Sequence, residues 1–144
     1  MASTAPRCVP FVLLGVGGVG GELVRAIVRS RQLHADKYGL RLAALALLDS
    51  TGALTAVGQK QNSPDSPDSS LAELSDEALL AAVRHKESGG KLCAPPLGLA
   101  ADPRPTELAP SAFIRRVVLE AGASAGAIVV DCTASEVRGT KGWD

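Results

Sequence analysis

The stretch Phe11-Val12-Leu13-Leu14-Gly15-Val16-Gly17-Gly18-Val19-Gly20 decides the fold. An apolar run enters G-x-G-x-x-G, and an amphipathic segment from Glu22 to Arg31 follows at once. Strand, tight turn and helix in that order form the context that a dinucleotide-binding fingerprint requires. Gly15 permits the turn off the strand, Gly17 lets a pyrophosphate approach bare backbone, and Gly20 lets the helix pack closely. The helix begins with unsatisfied N–H groups and a partial positive charge, both favourable to phosphate.

Outward from this motif, residues 9–14 read as a buried strand and 18–32 as a helix with Val19, Leu23, Ala26 and Ile27 on its apolar stripe. Residues 33–40 read as a connecting loop. Arg41 to Asp49, R-L-A-A-L-A-L-L-D, is ambiguous by periodicity; its length and the flanking Gly39 and Asp-Ser-Thr-Gly favour a strand. Residues 57–70, rich in Pro, Ser and Asp, read as a solvated loop. Ser70-x-x-Glu73 and Ser75-Asp76-Glu77 are helix-start signals for a helix over about 71–87, which Gly89-Gly90 ends. Residues 91–109 read mostly as loop. Pro110 opens a helix whose face is Phe113, Ile114, Val117, Val118 and Ala121, and 127–132 form the last strand.

The order β-α-β-α-α-β predicts an α/β fold, a Rossmann-like doubly wound parallel sheet that is incomplete, with three to four strands and the first strand central. Ligands of such sheets bind beyond the carboxyl ends of the strands. Three stretches should therefore converge: Gly15–Gly20, Asp49–Thr51 and Thr133–Ser135.

The chain has 144 residues, 46% hydrophobic and 21% charged, which suits a single globular domain. Aromatics are only 3%, so Ala, Val, Leu and Ile must build the core. The formal net charge of zero and the lack of a basic cluster with aromatics argue against nucleic acid as a partner. No apolar run is long enough to span a membrane. Cys8, Cys93 and Cys132 lack metal-ligand spacing and read as reduced thiols of a cytoplasmic protein; His34 and His85 read as solvated or helix-end residues.

Asp49, at the end of the second strand, sits where an acid accepts hydrogen bonds from the adenosine ribose. It lies 29 residues past Gly20, against a usual spacing of about 20. A carboxylate there favours NAD, whereas Ser50 and Thr51 can bond a 2′-phosphate and favour NADP. The structural reading of Asp49 is a cap on the turn before Gly52. Thr133, Ala134 and Ser135 are small enough for a nicotinamide ribose to lie against the backbone, and they also suit a helix N-cap. Asp131 reads as a buried or half-buried carboxylate bonded to local N–H groups. No catalytic constellation and no metal site assemble: no lysine–aspartate pair is evident at a cleft position, and His85 and Lys86 end a helix expected to face solvent.

The segments at 11–24, 47–52 (L-L-D-S-T-G) and 129–135 (V-V-D-C-T-A-S) together resemble homoserine dehydrogenase, the cofactor-binding domain of the plant type in particular. The likeness runs over about residues 9–136 and implies an NAD(P)-binding Rossmann domain. By that resemblance Val16, Gly17, Gly18 and Val19 line the pyrophosphate turn and Thr133 meets the cofactor near its nicotinamide end. The family reduces aspartate 4-semialdehyde to homoserine with NAD(P)H, on the way to threonine and methionine, and in plants works in plastids. Its catalytic lysine and aspartate belong to a separate substrate domain. Residues 137–144 do not follow the family pattern, and Lys141 inherits no role. The expectation is a domain inactive alone, whose last strand leaves a bare edge for homo- or hetero-oligomer pairing. The rival readings are a non-catalytic interaction module that uses this edge and a methyltransferase-like domain.

Overall fold

The computed structural model describes residues 5–50, 52–56, 71–92, 100–103 and 110–133. Thr51, Ala134, Ser135, Cys93, the 57–70 segment and the 137–144 tail lie outside them. The elements are β1 (Arg7–Leu14), α1 (Gly18–Tyr38), β2 (Leu40–Asp49), β3 (Gly52–Thr55), α2 (Asp76–Glu87), β4 (Ala100–Pro103), α3 (Pro110–Glu120) and β5 (Ile128–Asp131).

The fold is α/β, but the sheet is mixed and has five strands in the order β4-β3-β2-β1-β5. β1 is central to a parallel trio with β2 and β5, as its apolar run requires. β3 and β4 add to β2 in antiparallel sense, which corrects the expected all-parallel sheet. The added hairpin has a short-range cause. Asp49 pairs with Gly52, so only Ser50 and Thr51 connect β2 to β3. A two-residue loop between apolar runs returns the chain antiparallel to itself.

Helices cover both faces. Phe11, Leu13, Ala44, Leu47 and Leu54 pack under α1 and α2 with Val24, Ile27, Leu79 and Val83. Val12, Leu14, Leu45, Ala46, Leu48 and Ala53 pack under α3 with Phe113, Val117 and Ala121. Each such Val, Leu, Ile or Phe contributes about 1.5–3 kcal/mol on burial. The register on β1 jumps from Phe11↔Ala44 to Val12↔Ala46, leaving Leu45 unopposed. Consecutive residues Leu45 and Ala46 thus both enter the α3-side core. A bulge of this kind blurs alternation, which explains why β2 reads ambiguously as sequence.

Several boundaries differ from expectation. α1 continues through the proposed 33–40 loop to Tyr38 and stops at Gly39, which is left-handed (φ 61°) and donates its N–H to the Ala35 carbonyl. The last turns of α1 extend past the core, so their polar residues resembled a loop. The buried residues of α1 are Gly20, Gly21, Val24 and Ile27; Ile27 is shared with the expected stripe, but Val24 replaces Leu23, and Val19 is 73% exposed. α2 begins at the second start signal: Ser75 Oγ accepts from the Ala78 N–H at 3.2 Å. Residues 71–74 are instead held by Ala72 N–H to the Ala121 carbonyl and Leu74 N–H to the Ala44 carbonyl, both 2.8 Å.

α1 and α2 are tied at both ends of α2. Arg31 bonds Asp76 at 2.6 Å, and Arg25 bonds Glu87. Val83, between the tied residues of α2, faces Gly21 near the start of α1; its Cγ1 would lie 3.2 Å from an added Cβ there. The half-exposed ion pairs contribute at most about 1 kcal/mol each. They set the place of α2 more than the stability of the whole.

β5 pairs with β1 only along Phe11–Leu14. Leu14 accepts from the Cys132 N–H, so by alternation Pro10 also faces β5. Proline has no N–H to offer, and the ladder stops there. Beside the first half of β1 lies a cavity of about 650 Å³ lined by Arg7, Cys8, Pro10 and the Gly122–Ile128 turn.

Candidate functional site

Leu14 pairs in parallel with Asp131 on one side and with Leu48 on the other. The Gly15 N–H donates to the Leu48 carbonyl and the Cys132 N–H to the Leu14 carbonyl, both at 2.8 Å. The tips of β1, β2 and β5 are thus immediate neighbours at one end of the sheet, with the start of α1 above them. The cavity beside Pro10 lies at the other end of β1 and includes none of this turn.

Two motif glycines are enforced by crowding. Gly15 has φ 84°, and an added Cβ would stand 2.9 Å from the backbone of Cys132 and Thr133. An added Cβ on Gly20 would stand 1.9 Å from the Gly15 carbonyl oxygen. The close approach at Gly20 is therefore to the turn itself rather than to a neighbouring strand. At Gly17 and Gly18 nothing lies within 4 Å of the same probe, and both residues are exposed. Val16 is buried in the core under α1 while Val19 projects outward.

α1 starts without help. Gly17 is its N-cap, no side chain caps it, and its first turn holds no acidic residue. An α-helix leaves its first N–H groups without intrahelical partners and carries about half a positive charge there. This end presents donors and positive potential towards open space, which suits an anion.

Asp49 is 9% exposed. Its Oδ1 accepts from the Gly52 N–H at 3.2 Å and its Oδ2 from Lys86 Nζ at 3.0 Å. The turn-capping reading of Asp49 is thus realised in the structure. Lys86, expected in solvent, reaches back to the tip of β2 with its side chain 25% exposed. This lysine–aspartate pair was invisible in sequence because 37 residues separate its members. The faint signal was the spacing of Lys86 from Leu79 and Val83, which places it at the core-facing margin of α2.

Ser50 is exposed at the turn beside Asp49. Thr133 donates through both its N–H (2.8 Å) and its Oγ1 (2.6 Å) to Asp131 Oδ1. Asp131 meets local backbone as expected, but it is exposed rather than buried. Among the described residues, Gly15, Val16, Gly17, Gly18, Val19, Gly20, Asp49, Ser50 and Thr133 therefore occupy the three neighbouring tips.

No helix of the described residues is long and apolar enough to cross a membrane. No protein-family model, curated protein or solved structure matches this chain.

Proposed function

We propose that this end of the sheet binds a nicotinamide dinucleotide, and that the parallel trio with its covering helices is a Rossmann-like doubly wound unit. The observation that carries the reading is the uncapped, acid-free start of α1 over three adjacent strand tips, with Gly17 and Gly18 open towards solvent. Phosphate oxygens accept from such donors without a side chain to assist.

The resemblance to homoserine dehydrogenase extends the proposal. The chain would be the cofactor-binding part of an NAD(P)-dependent oxidoreductase of amino-acid biosynthesis, and would show no turnover by itself. Between NAD and NADP, the Lys86–Asp49 pair favours NADP. The ammonium offsets the charge of the carboxylate that would repel a 2′-phosphate, and it supplies a cation at the ribose end. Fluorescence titration with NADPH and NADH tests the binding, alongside an aspartate-semialdehyde reduction assay on the purified chain. Tighter binding of NADPH without turnover is the expected outcome. A flat titration with both nucleotides would remove the reading.

One observation favours a second role. Ile128 and Val129 on β5 are 54% and 47% exposed, on opposite faces of the sheet, and Leu119 of α3 is 61% exposed. Strands with apolar residues on both faces are characteristic of sheet interiors, where both faces are covered. Under this reading the β5 edge pairs with another chain, a second copy or a full-length dehydrogenase. Sedimentation over a range of concentrations and co-purification with such an enzyme test it; a monomer at high concentration that captures no enzyme counts against it.

A further inference from the structure

The turn after α2 contains a contact that the proposed site does not itself require. The Gly90 N–H donates to the His85 carbonyl at 2.9 Å and the Gly89 N–H to the Lys86 carbonyl at 3.0 Å, with Gly89 left-handed at φ 86°. These two bonds form a Schellman closure, and Lys86 is one of the residues it clasps. Ser88 Oγ adds a bond to the His85 carbonyl at 2.8 Å. The imidazole of His85 then lies flat on Gly90: an added Cβ there would stand 2.2 Å from Nε2 and 2.3 Å from Cε1. His85 Nε2 is 3.1 Å from the Lys91 carbonyl oxygen. A carbonyl can only accept, so Nε2 carries the hydrogen.

We infer that His85, seated on Gly90 and bonded to Lys91, is a positioning residue that holds the last turn of α2 helical so that Lys86 reaches Asp49. Lys86 precedes the closure by only three residues, and its own carbonyl is one of the two acceptors. Fraying of this turn would let the ammonium swing into solvent. The His85–Gly90 contact thereby sets how strongly the site discriminates a phosphorylated from an unphosphorylated adenosine ribose. That consequence rests on the nucleotide reading above; the positioning itself does not.

The experiment has two arms on the full chain. In the first, with no nucleotide present, the acylation rate of Lys86 by an amine-reactive ester is followed by mass spectrometry. His85→Ala and Gly90→Ala are expected to raise that rate about threefold or more, because an amine released from an ion pair is more accessible. His85→Gln, which keeps an N–H donor at a similar reach, should restore the slow rate. In the second arm NADPH and NADH are titrated. His85→Ala and Gly90→Ala should weaken NADPH by about three- to tenfold, the span of one lost hydrogen bond or charge contact, and leave NADH unchanged. An unchanged Lys86 rate in both variants overturns the inference whatever the titrations give. Faster acylation with no nucleotide bound by the parent chain overturns the nucleotide reading and the discrimination that follows from it. Equal weakening of both nucleotides, with a lowered melting temperature, reduces His85 to a structural residue and also overturns the inference.

Discussion

The two long helices on one face of the sheet begin in opposite ways. α2 has Ser75 as N-cap, with its hydroxyl on the Ala78 N–H, and Asp76 and Glu77 in the first turn. α1 has a glycine N-cap, no side-chain acceptor and no acid in its first turn. The first arrangement satisfies the helix from within and adds negative charge to meet its dipole. The second leaves the same demand open at the tips of the parallel strands. The proposed phosphate site rests on this contrast: among the described residues no side chain caps the start of α1, and Gly17 and Gly18 beside it are open.

The largest effect that breaks this comparison is expected at Gly20. Gly20→Ala puts a Cβ 1.9 Å from the Gly15 carbonyl oxygen, with only backbone to yield. It should cost about 3 kcal/mol or more, read as a sharply lowered melting temperature. A protein that melts like the parent would show that the turn and α1 are not packed as described. Gly17→Val should have a large effect of another kind. Its side chain enters open space, so stability should change by under about 1 kcal/mol. Nucleotide affinity should fall by about a hundredfold or more, near 3 kcal/mol; undiminished NADPH binding would place the site elsewhere.

Lys86→Ala sharpens the comparison at the second strand tip. It should weaken NADPH about tenfold, near 1.4 kcal/mol, with little change for NADH; parallel losses would sever Lys86 from cofactor choice. The smallest change belongs to the helix that is already capped. Ser75→Ala should lower stability by about 1 kcal/mol in denaturant unfolding and leave nucleotide affinity alone. If it weakened NADPH, α2 would matter to the site through more than Lys86.

Much of the architecture was legible because its signals are local. Phe11–Leu14 into the glycine run, Ser75 before Asp76-Glu77, and Phe113, Val117 and Ala121 at helical spacing all declare their elements within one or two turns of chain. β3 was missed because Gly-Ala-Leu-Thr carries few β-branched residues; its evidence was the two-residue gap at Ser50-Thr51, a signal of pairing rather than of composition. β4 fell inside a proline-rich stretch and is a strand only because β3 offers it an edge. Residues 33–38 read as a loop because a helix that outruns its core has no apolar stripe left to show.

Sequence by itself determined the alternation of strands and helices, the glycine turn at 15–20 and the position of Asp49 at a strand end, because backbone conformation and apolar periodicity act over a few residues. Only the tertiary structure decided that the sheet is mixed, that Gly15 and Gly20 are crowded while Gly17 and Gly18 are open, and that Lys86 joins Asp49. Those outcomes depend on distances between atoms far apart along the chain, which are set when α2 locks against α1 across Gly21 and the strands choose their neighbours.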